Sequence, residues 1–234
     1  MATKSWGVHP PTTISQSEEE YLEAIYRLGG ARGEKVRVKD LAKAIGVKDP
    51  SVVEMIERLE KKRLVKRSED GISITKKGKA QAIKTVRRHE LAERLLSDVL
   101  GYPLDKIHEI ACRLEHVMDD EMEERIEKIL KNPSSCPHGS PIPSRTGKVK
   151  ESGLSLDRSE NSVCRIVKIS EEPEILQRLL SLNLLPGTTI RIVEKLPGGA
   201  VAVICGKTKI ALSKNIASNI WVAGERHGYR HRGR

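Results

Sequence analysis

The chain contains no phenylalanine, and aromatic residues make up only 3% of it. Any core it builds is therefore aliphatic, filled by Leu, Ile and Val. No apolar run approaches the roughly 18 residues that a membrane-spanning helix needs, and the N-terminal stretch has no signal-peptide hydrophobic region. The expected setting is the cytoplasm, with no membrane partner. The four cysteines, Cys112, Cys136, Cys164 and Cys205, are scattered and form no C-x-x-C pair. In a reducing compartment such thiols are free or metal-bound rather than disulfide-bonded. G-x-S-x-G, a P-loop and a dinucleotide fingerprint are all missing, which argues against an enzyme.

A chain of 234 residues holds two or three domains and can bury a core. Its net charge of +10 is concentrated in one segment: between Lys35 and Arg88 there are 17 Lys/Arg against 7 Asp/Glu. A localised basic field is the electrostatic footprint of nucleic-acid binding, although a solvated lysine-rich surface gives the same count.

The pattern along the chain predicts a mainly α protein with a smaller β portion. A first helix is expected from Ser17, with Glu20 three residues on as its capping box, ending at Gly29-Gly30. Val38 to Ile45 reads as a short helix broken by Gly46, and Asp49-Pro50 starts another that ends near Arg63. Two short helices about a Gly-containing turn are the signature of a helix-turn-helix. Leu64 to Thr75 then alternates as a β-hairpin wing around a polar turn from Ser68 to Gly71. Long helices are expected from about Lys76 to Leu100 and from Leu104 to about Leu130. Asn132 to Asn161, rich in Pro, Ser and Gly, reads as a partly flexible linker. Short β-branched runs between Ser162 and Gly224 predict a small β-barrel of about 60 residues with one helix near Ile175 to Leu182.

In such a helix-turn-helix the recognition helix starts at Pro50. Its exposed N-terminal positions, Lys48, Pro50, Ser51 and Glu54, are those that reach base edges in the major groove of duplex DNA. Lys39, Lys43, Lys61, Lys62 and Arg63, with the wing residues Lys66 and Arg67 and the helix-start residues Lys76 and Lys77, suit phosphates.

The second constellation is His108, Cys112, Glu115 and His116, spaced to fall within roughly one 100° arc if they share a helix. Imidazole, thiolate and carboxylate together ligate divalent transition metals. His89 and Glu93, at i,i+4 on the preceding helix, offer two further ligands. Both stretches begin His-Glu, as the H-E-x-x-H of zinc hydrolases does, but in each the second histidine is replaced, by Glu93 or Cys112. Two incomplete copies point to a binding site without hydrolytic machinery.

Lys39 to Thr75, Arg88-His89-Glu90-Leu91-Ala92-Glu93-Arg94-Leu95-Leu96 and His108-Glu109-Ile110-Ala111-Cys112-Arg113-Leu114-Glu115-His116-Val117-Met118 resemble the diphtheria-toxin-repressor family of iron- and manganese-dependent repressors. The resemblance covers residues 14 to 144, including Cys136 to Pro143, and more weakly the C-terminal region, which is similar to the SH3-like domain of the iron branch. It implies a winged helix-turn-helix domain (14–76), a helical metal-binding and dimerisation domain (77–144), a linker (145–161) and an SH3-like β-barrel (162–224). It also implies two metal sites per subunit. The primary site would take Cys112, Glu115 and His116 with Glu20 of the first helix, where the iron branch has Met and the manganese branch Asp. A Glu20 that caps its own helix opposite Ser17 competes with that role. The ancillary site would take His89, Glu93, His108 and, from the SH3-like domain, Glu172. The second ligand from that domain falls on Ile175, which cannot ligate, so that Glu171 or Glu174 would substitute.

Cys112 is a soft ligand and resembles the iron branch, whereas Glu20 favours harder ions. The resemblance therefore implies Fe²⁺, with Mn²⁺ as the alternative, in a homodimer that binds palindromic operator DNA when loaded. The competing readings are a winged-helix regulator that does not respond to metal, and a metal-storing or metal-hydrolase protein with an incidental basic surface. The roles of Cys136 and His138 are open in the sequence, with a structural role favoured.

Overall fold

The computed structural model describes residues 14–149, 153–160 and 162–224. The chain divides into two compact units, the first running to Val86 with Arg145–Gly147 added, the second comprising Arg87–Ser144 and the residues from Lys148 onward.

In the first unit, α1 (Gln16–Leu28), α2 (Val38–Ile45) and α3 (Asp49–Lys61) are followed by the hairpin β1 (Val65–Ser68) and β2 (Gly71–Ile74). The hairpin is antiparallel, pairing Val65 with Ile74, and Val36 adds a bridge to Ile72. Leu22, Ile25, Leu41, Val52, Ile56, Leu59 and Ile72 form the aliphatic core that the lack of phenylalanine demanded. Gly46, at φ 77°, makes the turn between α2 and α3 in a conformation that side-chain-bearing residues rarely adopt.

The start of α1 differs from expectation. Ser15 is the N-cap: its Oγ accepts from the Glu18 N–H, and the Glu18 carboxylate accepts from the Ser15 N–H at 2.8 Å. The capping box therefore lies two residues earlier than expected, and Glu20 is an exposed side chain one turn into the helix. The Glu18 carboxylate also accepts from Lys62 Nζ at 2.7 Å, just past the end of α3. Burial alone would raise the Glu18 pKa, but these donors hold it below the usual carboxylate value.

Helix α4 (Lys76–Arg94) begins at Thr75, whose hydroxyl accepts from the Gly78 N–H, and widens into a π-helical turn over Leu95–Val99. The expected single helix from Leu104 to Leu130 is two: α5 (Ile107–Leu114) and α6 (Asp120–Ile129). The break has a local cause, since the Asp119 carboxylate accepts from the Met122 N–H at 2.7 Å and caps a new helix. Leu91, Ala92, Leu96, Ile107, Ala111 and Met118 form the core between these helices.

The C-terminal part is a six-stranded antiparallel sheet in the order β3-β8-β4-β5-β6-β7. It comprises β3 (Leu154–Ser155), β4 (Val163–Ile169), β5 (Thr189–Lys195), β6 (Val201–Cys205), β7 (Thr208–Leu212) and β8 (Ile220–Gly224), with helices α7 (Pro173–Ser181) and α8 (Lys214–Ser218). Register shifts at Ile166/Lys168 and Ile192/Glu194 bend it around a core that includes Ile166, Leu179, Val203 and Ile220.

The segment read as a flexible linker is ordered through its first half. Cys136 N–H donates to Ser140 O, and Ile169 N–H of β4 donates to His138 O. Gly139, at φ 88°, lets this turn press onto β4: a Cβ there would lie 2.0 Å from Val167 O. No helix among the described residues is long and apolar enough to cross a membrane.

Gly78 packs just as tightly, since a Cβ would fall 2.0 Å from Leu64 O. Gly78→Ala is expected to destabilise the first unit by about 1–3 kcal/mol, the usual range for overpacking. The denaturant midpoint should fall with an unchanged slope, and an unchanged midpoint would contradict this packing.

Candidate metal centre and nucleic-acid interface

The ligand residues converge in the second unit. Helix α4 supplies His89 and Glu93, α5 supplies His108 and Cys112, and the turn after it Glu115 and His116. The Cys136–Ser140 turn supplies Cys136 and His138, and the end of β4 leads to Glu171. Glu93 has no solvent exposure, His138 none and His89 1%. Carboxylates and imidazoles at that depth require charge-bearing partners.

Glu93 is central. Its Oε1 lies 3.3 Å from His89 Nε2 and 3.4 Å from His108 Nδ1, while its Oε2 lies 3.0 Å from His138 Nδ1. Burial pushes its pKa up, but the three imidazoles outweigh this and hold it well below the usual carboxylate range. His89 Nδ1 meets Glu115 Oε2 at 2.6 Å, and His116 Nε2 lies 3.3 Å from Glu115 Oε1. Cys112 Sγ stands 3.7 Å from His108 Nε2 and 3.9 Å from His89 Nδ1. His108 Nδ1 is 3.0 Å from Glu171 Oε2.

The electrostatics follow from this geometry. Contacts with Cys112, Glu171 and Glu93 push the His108 pKa up to about 12. Burial opposes the charged form of His89, but Cys112, Glu115 and Glu93 together raise it well above the ordinary histidine value. Burial would likewise raise Cys112, yet His108 and His89 bring it down to about 6, making it a thiolate at neutral pH. Burial, followed by the charges of Glu90, Glu93 and Glu171, raises Cys136.

Among the described residues, three groups of donors within this unit have one ligand atom per residue within 4.8 Å of each other: His89-His108-Cys112, His89-Glu93-His108-Glu171 and Glu93-Cys136-His138-Glu171. The fit to a divalent metal rests on the donor set itself: imidazole, thiolate and carboxylate, buried and anionic. His89, Glu93 and His108 come together as expected for the ancillary site. Cys112, Glu115 and His116 form no such group by themselves, because α5 ends at Leu114 and His89 stands between Cys112 and Glu115. Glu172 is exposed at the start of α7, and its neighbour Glu171 is the one that faces His108. Sequence reasoning left Cys136 and His138 without a role, although their C-x-H spacing beside a proline was a readable ligand signal.

The residues expected to meet nucleic acid lie in the first unit. Lys39, Lys43, Lys48, Pro50, Ser51, Glu54, Lys61, Lys62, Arg63, Lys66 and Arg67 are all exposed. The N-terminal turn of α3 presents Pro50, Ser51 and Glu54. Glu54 Oε1 accepts from Arg58 at 2.6 Å, an exposed pair on α3 that the sequence reading did not single out. Lys62 is held by Glu18.

A winged helix feeding a long helix into a buried His/Glu/Cys ligand set defines a metal-dependent transcriptional repressor. Residues 13–71 match the model described as "Iron dependent repressor, N-terminal DNA binding domain". Residues 75–144 match "Iron dependent repressor, metal binding and dimerisation domain", and 156–224 the FeoA domain. The chain is 30% identical over 231 residues to the iron-dependent repressor IdeR of Mycobacterium tuberculosis, covering 89% of this chain and 97% of that one. It is 36% identical over 171 residues to the diphtheria toxin repressor of Corynebacterium efficiens, covering 73% and 72%. Among solved structures, a manganese-dependent transcriptional repressor in complex with manganese superposes with a TM-score of 0.80 at 29% identity, covering 88% of this chain and 99% of that one. IdeR of T. acidophilum superposes at 0.73 and 28%, covering 93% and 100%. The chain belongs to the iron-dependent, diphtheria-toxin-repressor family.

Since Cys112, Glu171 and Glu93 favour the protonated form of His108, a divalent ion entering this cluster must displace protons from imidazole. Metal affinity is therefore expected to rise with pH from 6 to 8. Calorimetry in buffers of different ionisation enthalpy should show proton release, and a buffer-independent enthalpy would contradict the assignment.

Proposed function

We propose that this protein is an Fe²⁺-activated repressor of metal-homeostasis genes, with Mn²⁺ as the alternative activator, acting in the cytoplasm as a homodimer on palindromic operator DNA. The observation that carries this reading is the buried Glu93, faced by three histidines, in a chain whose other unit is a winged helix.

The reading takes two metal centres per subunit. Cys112, Glu115 and His116, with Glu20 of the first helix, would hold the activating ion; Ser15 and Glu18, not Glu20, cap that helix, and Glu20 Oε1 accepts from Gln16 Nε2 at 3.2 Å. The second centre would draw on His89, Glu93, His108 and Glu171, with Cys136 and His138 beside them. A bound metal supplies positive charge that fixes these elements relative to each other.

The protein's own residues do the rest. Val99, Leu100, Tyr102, Val117, Met122 and Ile129 lie exposed on the helical domain, with Val117 at 71% and Ile129 at 61%. That apolar surface suits a second copy, and two copies would set their recognition helices about 34 Å apart, on successive major grooves. Lys39, Lys43 and Lys48, with Lys66 and Arg67 of the wing, would hold phosphates while Pro50, Ser51 and Glu54 face the bases.

Electrophoretic shifts on duplex DNA, with and without Fe²⁺ or Mn²⁺, test the scheme. Cys112→Ala and His116→Ala should abolish metal-dependent binding, and metal-independent operator binding by either would sink activation. Lys39→Ala and Lys43→Ala should weaken binding to all sequences and each lower the salt slope by about 1. An unchanged slope would remove them from the interface.

A further inference from the structure

Helix α3 turns one polar stripe outward. Val52, Ile56 and Leu59 are buried in the aliphatic core of the first unit, whereas Pro50, Ser51, Glu54, Glu57, Arg58 and Lys61 are exposed. At about 100° per residue, Glu54 falls near the middle of that exposed arc, opposite the buried stripe. In a helix that enters a major groove the N-terminal residues reach base edges, so the base-facing part of α3 carries a carboxylate.

The acids of α3 are not equivalent. Glu60 Oε1 accepts from the Arg67 N–H at 3.0 Å and Glu57 Oε1 lies 3.9 Å from Arg67 Nη1, so both serve the wing strand β1. Glu54 is paired along α3 itself, its Oε1 accepting from Arg58 Nη2 at 2.6 Å. Its Oε2 and the remaining N–H groups of Arg58 have no partner among the described residues. Both side chains are more than half exposed, and a pair of that kind adds little to helix stability. A carboxylate also costs affinity for DNA, because phosphates repel it whatever the sequence. That repulsion is offset only where a base offers the carboxylate a donor.

The base edges divide on this point, since a carboxylate accepts and cannot donate. In the major groove guanine and thymine present acceptors, adenine an amino group beside the acceptor N7, and cytosine the N4 amino group alone. A G·C pair as a whole presents two acceptors, guanine N7 and O6, followed by the cytosine donor. Arg58 with Glu54 offers the complement, N–H donors beside a carboxylate acceptor. We propose that Glu54 determines specificity by accepting from cytosine N4, while Arg58 positions it and donates to the guanine of the same pair. The chain thereby demands a G·C pair at one position in each half-site. The inference rests on the reading of the protein as a metal-activated repressor and adds a base pair that its operator must contain.

The test uses the full chain with Mn²⁺ or Fe²⁺ to enrich duplexes from a pool of randomised sequence, followed by titration of the enriched site and its single-pair variants. The unaltered chain should fix a G·C pair at one position of each half-site, and A·T there should weaken binding about tenfold. Glu54→Ala should lose that preference, bind non-specific duplex more tightly and keep the preferences at other positions. Glu54→Gln, whose amide both donates and accepts, should turn the preference towards A·T. Arg58→Ala should shrink the tenfold discrimination with Glu54 still in place. Circular dichroism melts of the three variants should match that of the unaltered chain, since both side chains are exposed. If Glu54→Ala and Glu54→Gln enrich the unaltered site with the same discrimination, or weaken binding to every sequence alike, the assignment is overturned and the repressor reading stands. A chain that enriches no sequence with either ion overturns both.

Discussion

Glu93 is a fully buried carboxylate, and much of the second unit is arranged to make it tolerable. An isolated carboxylate in an apolar interior is strongly disfavoured, and only well-placed counter-charge and hydrogen bonds offset that cost. Here the supporting groups come from four separate parts of the chain. His89 shares α4 with it, His108 comes from α5, His138 from the turn after α6, and Glu171 approaches from the end of β4 to hold His108 in place. Helical domain and SH3-like sheet are thus tied at one point by polar groups as well as by apolar packing. Three imidazoles supply that counter-charge here, and a divalent ion entering the cluster would displace protons from them.

In the first unit the charge is divided differently. Helix α3 carries Asp49, Glu54, Glu57 and Glu60, and the lysines that make the segment basic lie mainly on α2, at the ends of α3, in the wing and along α4. In the proposed interface attraction to phosphates and inspection of bases are thereby separated: flanking cations would draw the duplex in, while α3 presents a carboxylate paired with Arg58. Such a surface gains affinity from every sequence alike and rejects by what sits in the groove.

Much of this was legible in the sequence. Gly46, Asp49-Pro50 and the alternating hairpin placed the winged helix, because each acts locally through backbone conformation and capping. The spacing of His89, Glu93, His108 and Cys112 placed most of the clustered donor side chains. The rest depended on choices between near-equal local signals or on distant pairing. Ser15 with Glu18 competes with Ser17 and Glu20 for the same capping geometry, and only the Lys62 contact from outside the helix reveals which is used. Asp119 restarts a helix in a stretch whose apolar periodicity runs on without a break. Composition labelled Cys136 to Ser140 a linker, since proline, serine and glycine serve a tight turn as well as a loose tether. The choice of Glu171 over Glu172 turns on one residue of register at the end of β4, which no local pattern fixes.

The carboxylate of Glu18 caps the first turn of α1 and grips Lys62 just beyond the last turn of α3. The start of one helix and the end of another are thereby pinned at a shared anchor, with their hydrophobic sides seated in a common aliphatic core. In the proposed repressor, a pull on the carboxylate-bearing turns of α1 would be passed through this anchor to α3 and so to the bases that α3 would face.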